Sequence, residues 1–300
     1  MANCEFSVVM VVGAGRGPLV AATLRAAETV QRKLTVYAVE KNPNAVITLR
    51  NRVADDAGWG GVTVVSCDMR FWEAPGGVLA DILVSELLGS FGDNELSPEC
   101  LDGAQRFLRP DGGISIPCDY TSFVAPVSTP KLWQQINGLD NKEKLETPYV
   151  VRLWNFVQLA PAQPCFKFTH PRWCATRGVG AAGTEGELSD NRRFGAIRFA
   201  RQAVSSMVHG FAGFFESTLF GDQMISIHPP THSPGMFSWF PLYFPLRTPV
   251  YVAEGEWIAF HIWRCVDERG AKVWYEWCVE TATYTSPIHN PAGRACNIGL

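Results

Sequence analysis

This sequence of 300 residues has no excess of basic charge: 26 lysines and arginines face 29 acidic residues, for a formal net charge of −3. It also has no long lysine or arginine run, so direct nucleic-acid binding is disfavoured, since that draws on a basic field. No apolar stretch approaches the roughly 20 residues of a membrane span. The early run Phe6 to Val12 is short, has no basic start and flows straight into Gly13, Gly15 and Gly17, so it reads as a strand rather than a secretory leader. Cys-x-x-Cys pairs are missing. The nine cysteines are odd in number and scattered, which fits free thiols in a reducing compartment and an expected cytoplasmic and nuclear location. No metal cluster is read from the six histidines. His228 and His232 are four apart, but Pro229 and Pro230 intervene, so they read as loop histidines rather than a helical metal pair. No internal repeat or long low-complexity tract appears.

What is present falls into two textures. From Phe6 to Ile116, apolar β-branched runs alternate with helical patterns, as in parallel strands joined by crossovers. The strand candidates are Phe6 to Val12, Leu34 to Val39, Val62 to Ser66, Ala80 to Val84 and Gly113 to Ile116. Pro18 stands where a first helical residue is expected, Asn42 before Pro43 starts a second helix, and Ser97 before Pro98 starts a third that ends near Leu108. After Ile116-Pro117, short aromatic and β-branched runs are broken by proline and glycine, as in an antiparallel sandwich or barrel. The expected fold is therefore α/β plus all-β: a Rossmann-like domain over 1–117 and a β-barrel or sandwich over 118–300. A polar projection is expected near 131–146, and a flexible surface loop from Thr176 to Asn191.

Chemistry-bearing residues gather at the expected strand ends. Gly13-Ala14-Gly15-Arg16-Gly17-Pro18 links the first strand to the first helix, where glycines allow close backbone approach and the helix offers its positive end. Glu40 ends the second strand, 23 residues after Gly17 (40 minus 17), where an acid can bind both ribose hydroxyls. Asp68 and Met69 end the third strand. A carboxylate there can accept from an adenine amine while the thioether packs on the ring. Together these describe an adenosine pocket. A dinucleotide dehydrogenase is the rival reading, but the turn is Gly-x-Gly-x-Gly followed by proline rather than Gly-x-Gly-x-x-Gly.

The fourth strand leads into an acidic loop, Ser85-Glu86 through Glu95 to Glu99, with Gly89 and Gly92 between the two glutamates. Two carboxylates aimed into one cleft repel unless a cation lies between them, and a planar guanidinium lets both stay charged. Solvated surface acids are the bland alternative. With the acidic loop beside the adenosine pocket, S-adenosylmethionine fits better than a dinucleotide.

These residues resemble the protein arginine methyltransferases, and within them the type II, symmetric-dimethylating family often called protein arginine methyltransferase five. The likeness rests on Gly13 to Val20, Tyr37 to Ala45, Ser66 to Arg70 and Ser85 to Glu99. In the second half it rests on Gly210 to Gly213, His232 to Pro241, Trp274 to Trp277 and Ile288 to Pro291. It implies transfer of methyl from S-adenosylmethionine to the guanidinium of arginine-containing proteins, such as histone tails and Gly-Arg-rich chains. Glu86 and Glu95 would then be the catalytic pair that grips the guanidinium. Gly13, Gly15, Arg16, Gly17, Pro18, Glu40, Asp68 and Met69 would hold the cofactor. Phe237, Ser238, Trp239 and Phe240 would face the arginine, with the tryptophan offering a ring for a guanidinium to stack on. An aromatic barrel core is the plain reading of that last run.

The resembled enzymes carry helices upstream of the first strand that fold over the cofactor and, before them, a barrel domain that binds a WD-repeat partner. This sequence opens a few residues before that strand. The expectation is thus a catalytic region without its amino-terminal barrel, slow on its own, with the WD-repeat partner disfavoured and a homodimer through the projection suggested by the family. A catalytically impaired scaffold that still binds peptide is the alternative function, and a small-molecule methyltransferase a more distant one.

Overall fold

In the first strand, alternate residues belong to different cores. Val9 and Val11 pack with Val20, Leu49 and Trp59, whereas Met10 and Val12 join a larger core shared with the second half of the molecule. A strand covered on both faces needs apolar residues at every position, which is why the run Val8-Val9-Met10-Val11-Val12 shows no polar alternation. The computed structural model describes residues 7–172, 191–200, 203–268 and 272–299. The loop expected from Thr176 therefore lies outside the described residues, apart from Asn191.

Five parallel strands form the first sheet: β1 (Ser7–Val12), β2 (Leu34–Glu40), β3 (Val62–Ser66), β4 (Ile82–Ser85) and β5 (Ile114–Ile116), in the order β3-β2-β1-β4-β5. Helices α1 (Pro18–Thr29) and α2 (Pro43–Asp55) connect the first three, and α3 (Ser97–Ala104) precedes β5. As expected, Pro18 and Pro43 open their helices, and Asn42 caps α2 by accepting from the Asn44 amide at 3.0 Å. The third helix differs by one residue at its start. Ser97 is its first helical residue rather than its cap; its hydroxyl donates to the Gly92 carbonyl (3.0 Å) and pairs with the Tyr120 hydroxyl (2.9 Å). Strand order reverses between β1 and β4, so a crevice opens at their carboxyl ends, where open α/β sheets bind ligands.

The second half is antiparallel. It contains β6 (Asp119–Ser128), β7 (Tyr149–Val150), β8 (Val157–Gln158), β9 (Gln163–Thr169), β10 (Arg193–Phe199), β11 (Ser206–Phe220), β12 (Gln223–Ser226), β13 (Leu242–Val252), β14 (Ile258–Val266), β15 (Lys272–Thr281) and β16 (Ile298–Gly299). One sheet runs β10-β14-β15-β16. The other runs β7-β13-β11-β6-β8, with β12 added to β11 and β9 to β6. Their inner faces meet in aromatic contacts such as Phe211 on Phe260, ring centroids 4.0 Å apart. This is the Rossmann-like plus barrel architecture expected from the two textures.

The polar segment near 131–146 is helix α4 (Pro130–Asn137) followed by a short turn from Lys142 to Glu146. Its far end is anchored rather than free. Glu146 is fully buried and receives Arg247 and Arg294, each at 2.9 Å. His228 lies in the loop after β12, where it stacks on Phe123 at 4.3 Å and its Nδ1 lies 2.7 Å from Glu216 Oε1.

Glycine has different work at two points of the first turn. Gly17 has φ +89°, and a Cβ there would lie 2.7 Å from the Trp59 ring and 3.0 Å from Leu49; at Gly15 (φ +54°) a Cβ would meet nothing within 4 Å. Gly17→Ala should therefore lower stability by roughly 2–4 kcal/mol in denaturant unfolding, since it adds overpacking to backbone strain, while Gly15→Ala should cost only about 1–2 kcal/mol from strain.

Candidate active site

A cavity of about 350 Å³ sits at the crevice. Its walls come from the ends of β1 (Val12, Gly13) and β2 (Val39, Glu40, Lys41), the segment after β3 (Cys67, Asp68, Met69, Arg70), and the acidic loop and α3 (Leu87, Glu95, Leu96, Cys100), with Gly299 at its edge. Of the residues proposed from sequence for the cofactor, Gly13, Glu40, Asp68 and Met69 line this cavity. Gly15, Arg16, Gly17 and Pro18 do not. Gly17 caps α1 and Pro18 is its first residue, and Arg16 is exposed.

Glu40 is oriented by backbone. Its Oε2 accepts from the Gly15 amide at 2.8 Å and its Oε1 from the Asn42 amide at 2.7 Å. A carboxylate offers about four acceptor sites, so roughly two remain for a diol. Asp68 is held more tightly: Oδ1 accepts from the Arg70 amide and Nε, both at 3.0 Å, and Oδ2 from the Arg70 terminal nitrogen at 2.7 Å. That side-chain hydrogen bond, against the opposing effect of burial, lowers the Asp68 carboxyl to about 2. About one acceptor site remains, which suffices for an exocyclic amine. A nucleoside-sized cavity with a diol acceptor, an amine acceptor and a buried thioether thus fits the adenosine part of S-adenosylmethionine.

The acidic loop is built like a plug with two exposed heads. Leu88 and Phe91 are buried, and Phe91 packs edge-on against Phe244 (5.3 Å) and Tyr275 (5.8 Å). The turn closes on itself through paired Gly89 and Gly92 backbone hydrogen bonds, while Asn94 Oδ1 accepts from the Phe91 amide at 2.6 Å. Glu86 and Glu95 project to the surface. Burial by neighbours and then the charge of Glu95 push the Glu86 carboxyl above the usual carboxylate range, although a backbone hydrogen bond at Leu88 opposes this. Burial does the same to Glu95. The negative charge of Glu95 thus bears on Glu86.

Two further acids of the same stretch, overlooked in the sequence, have that cation. Arg264 of β14 and Asp93 are both fully buried and meet at 2.6 Å, and the guanidinium also takes Glu99 at 2.7 and 2.9 Å and the Asn191 carbonyl at 3.0 Å. Tyr275 donates to the same Asp93 oxygen at 2.8 Å. Burial works to lower the Arg264 value, but the charges of Asp93 and Glu99 outweigh it and the guanidinium stays charged. One signal was available: an arginine in the middle of an apolar strand, Ile258 to Val266, implies an internal counter-ion.

The barrel segment divides its roles. Trp239 donates from Nε1 to the Leu88 carbonyl at 3.0 Å and meets Phe215 edge-on at 5.5 Å, so it is tied to the acidic loop beside Glu86. Phe240 lies under the Arg152 guanidinium at 4.7 Å. Phe237 and Ser238 are exposed, Phe237 at 86%. Among the described residues no group of three or more His, Cys, Asp or Glu side chains is arranged to hold a metal.

Sheet order, crevice and barrel define the class: a Rossmann-like methyltransferase domain joined to a β-barrel. Residues 2–116 match the family model described as PRMT5 arginine-N-methyltransferase, and residues 119–298 match the PRMT5 oligomerisation domain. The chain belongs to the PRMT5 family of protein arginine N-methyltransferases. Protein arginine N-methyltransferase 5 of Xenopus laevis is 52% identical over 99% of this chain and 44% of its own length, and that of Drosophila melanogaster is 43% identical over 100% and 46%. The chain thus spans less than half the length of the curated relatives it matches. Among solved structures, the Trypanosoma brucei PRMT1 enzyme-prozyme complex with AdoHcy superposes with a TM-score of 0.71 at 17% identity, covering 93% of this chain and 86% of that one. Arabidopsis thaliana protein arginine methyltransferase 10 gives 0.68 at 17%, covering 94% and 87%. At that identity the likeness shows the fold.

Arg264→Met should cost about 3–5 kcal/mol in chemical denaturation, because it leaves Asp93 buried without its counter-ion. Asp93→Asn added to it should recover part of the loss, which a double-mutant cycle measures.

Proposed function

We propose that this chain carries the methyl-transfer centre of a protein arginine methyltransferase, with S-adenosylmethionine in the cavity and a peptidyl arginine between Glu86, Glu95 and Trp239. The observation that carries the reading is the pair of exposed glutamates, with Glu95 raising the Glu86 carboxyl, while their two neighbouring acids, Asp93 and Glu99, share Arg264 of the chain. A site that has satisfied its inner acids and left the outer two uncompensated suits a guest guanidinium.

The cofactor supplies an electrophilic methyl on a sulfonium; everything else falls to the chain. Glu86 and Glu95 draw the guanidinium charge toward themselves, which leaves one terminal nitrogen richer in electron density. The Trp239 indole, fixed through Leu88, borders the path of the side chain. Holding the nitrogen in line makes the displacement effectively unimolecular. The proton lost after transfer goes to a carboxylate, and Glu95, on the cavity wall, is the acceptor we assign.

Four further points belong to this reading. Histone tails and Gly-Arg-rich chains are the expected substrates. Monomethyl- and symmetric dimethylarginine are the expected products, in the cytoplasm and nucleus. Assembly as a homodimer is expected through the barrel, supported by the match of 119–298 to an oligomerisation domain. The segment near 131–146 is the candidate contact. The impaired-scaffold alternative has less support, because both acids and the strand-end residues are in place.

Glu86→Gln should reduce labelled methyl transfer to an arginine-rich peptide at least about 100-fold, in line with loss of one preorganised charge. Equal labelling by the native chain and the variant would sink the paired-acid mechanism. Peptide affinity should also depend on pH. Both carboxyls are raised, so their ionisation weakens the free protein as pH rises through those raised values, and a bound guanidinium relieves the repulsion. Binding should therefore tighten with rising pH, release protons over that window and level off above it. Calorimetry in two buffers of different ionisation enthalpy measures the release.

A further inference from the structure

The loop that would face adenine is held from behind by a side chain with no part in the cavity wall. Arg106, in the turn that continues α3, directs one terminal nitrogen at three backbone carbonyls of that loop: Met69 at 3.2 Å, Arg70 at 3.0 Å and Trp72 at 2.7 Å. A single nitrogen carries two hydrogens, so the three acceptors share them, and the charge attracts all three dipoles. The guanidinium is itself seated on the Phe107 ring at 4.6 Å, and Phe107 packs on Trp72 at 5.1 Å.

A second contact on the same helical face acts independently. A Cβ at Gly103 would lie 3.4 Å from Arg70 Cγ and 3.5 Å from Met69 Sδ, so α3 rests directly on the two residues that place the thioether and the Asp68 partner. The helix begins two residues after Glu95. It thus joins the acidic loop to the far wall of the cavity.

We propose that Arg106 is a positioning residue for the cofactor: by gathering the Met69, Arg70 and Trp72 carbonyls it holds Asp68 and Met69 where they recognise the adenine ring. Arg106 does not line the cavity. The proposal rests on the nucleoside reading of the cavity given above.

Its test uses the full chain and two ligands, S-adenosylhomocysteine and the counterpart whose purine carries a 6-oxo group in place of the 6-amino group. Calorimetric affinities are compared for the wild type, Arg106→Ala and Arg106→Lys, together with backbone hydrogen exchange over residues 69–72. The wild type should prefer the amino purine. Arg106→Ala should bind it about tenfold more weakly, the scale of one charge-assisted hydrogen-bond set. It should bind the oxo purine nearly unchanged, so that base preference shrinks, and exchange at 69–72 should rise. Arg106→Lys, which keeps a charged nitrogen, should recover part of the preference.

Unchanged base preference in Arg106→Ala overturns the proposal, as does an equal loss for both ligands, which a merely structural role would produce. A wild type that binds neither ligand, or does not distinguish them, overturns the adenine reading of the pocket itself. That failure is separate, because it appears before any substitution is made.

Discussion

A guanidinium sealed between the two halves of the molecule sets the geometry of everything at the crevice. Arg264 belongs to the barrel, while Asp93 and Glu99 belong to the loop and helix that follow the fourth strand of the Rossmann-like sheet. Removing such a group from water costs several kcal/mol per ion, and the structure tolerates it only because every edge of the guanidinium is met: Nε by Asp93, one terminal nitrogen by Glu99 and the Asn191 carbonyl, the other by Glu99. The consequence is rigidity rather than a large net gain in stability. With its inner acids locked to the barrel and Phe91 buried among Phe166, Phe244 and Tyr275, the loop has little freedom in where it holds Glu86 and Glu95.

The same stretch thus contains two kinds of acid separated by burial and by partner. Asp93 and Glu99 face inward onto an arginine of the chain. Glu86 and Glu95 face outward, with both carboxyls raised by burial and that of Glu86 also by the charge of Glu95. On the proposed reading the fold uses one arginine as a permanent occupant of an acid pair and leaves the second pair for a transient one. The cofactor side follows a similar rule. Glu40 is oriented by two amides, Asp68 by Arg70, and the loop behind Asp68 by Arg106, so each group aimed at the cavity is itself held by a hydrogen-bonding neighbour.

Much of this was legible from the residues alone. Continuous apolar strands in the first half and proline-broken aromatic runs in the second told of a covered parallel sheet and an antiparallel partner, because a strand's pattern reports how many of its faces are buried. The strand-end residues Gly13, Glu40, Asp68 and Met69 were found because parallel sheets gather their carboxyl ends on one edge, so sequence position translates directly into spatial neighbourhood. Gly15, Gly17 and Pro18 were read as ligand contacts from the same turn; they do not line the cavity, and Gly17 packs on Trp59 and Leu49. A glycine needed for packing on Trp59 looks the same in sequence as one needed for close approach to a ligand.

By itself the sequence determined the two-part architecture, the edge at which the cavity opens and the acidic character of that edge, since these follow from local periodicity and from the ends of elements. Tertiary structure decided which acids are already spent. Glu99 and Glu95 are four residues apart and chemically identical, and only Arg264, 165 positions beyond Glu99, distinguishes the neutralised one from the open one. The tie from Trp239 to Leu88 and the seating of Arg106 beneath the Met69–Trp72 loop were likewise settled only by folding. The physical reason is the same in each case: a charge or donor acquires its function from the groups it meets, and chain order says little about meetings across 30 to 170 residues.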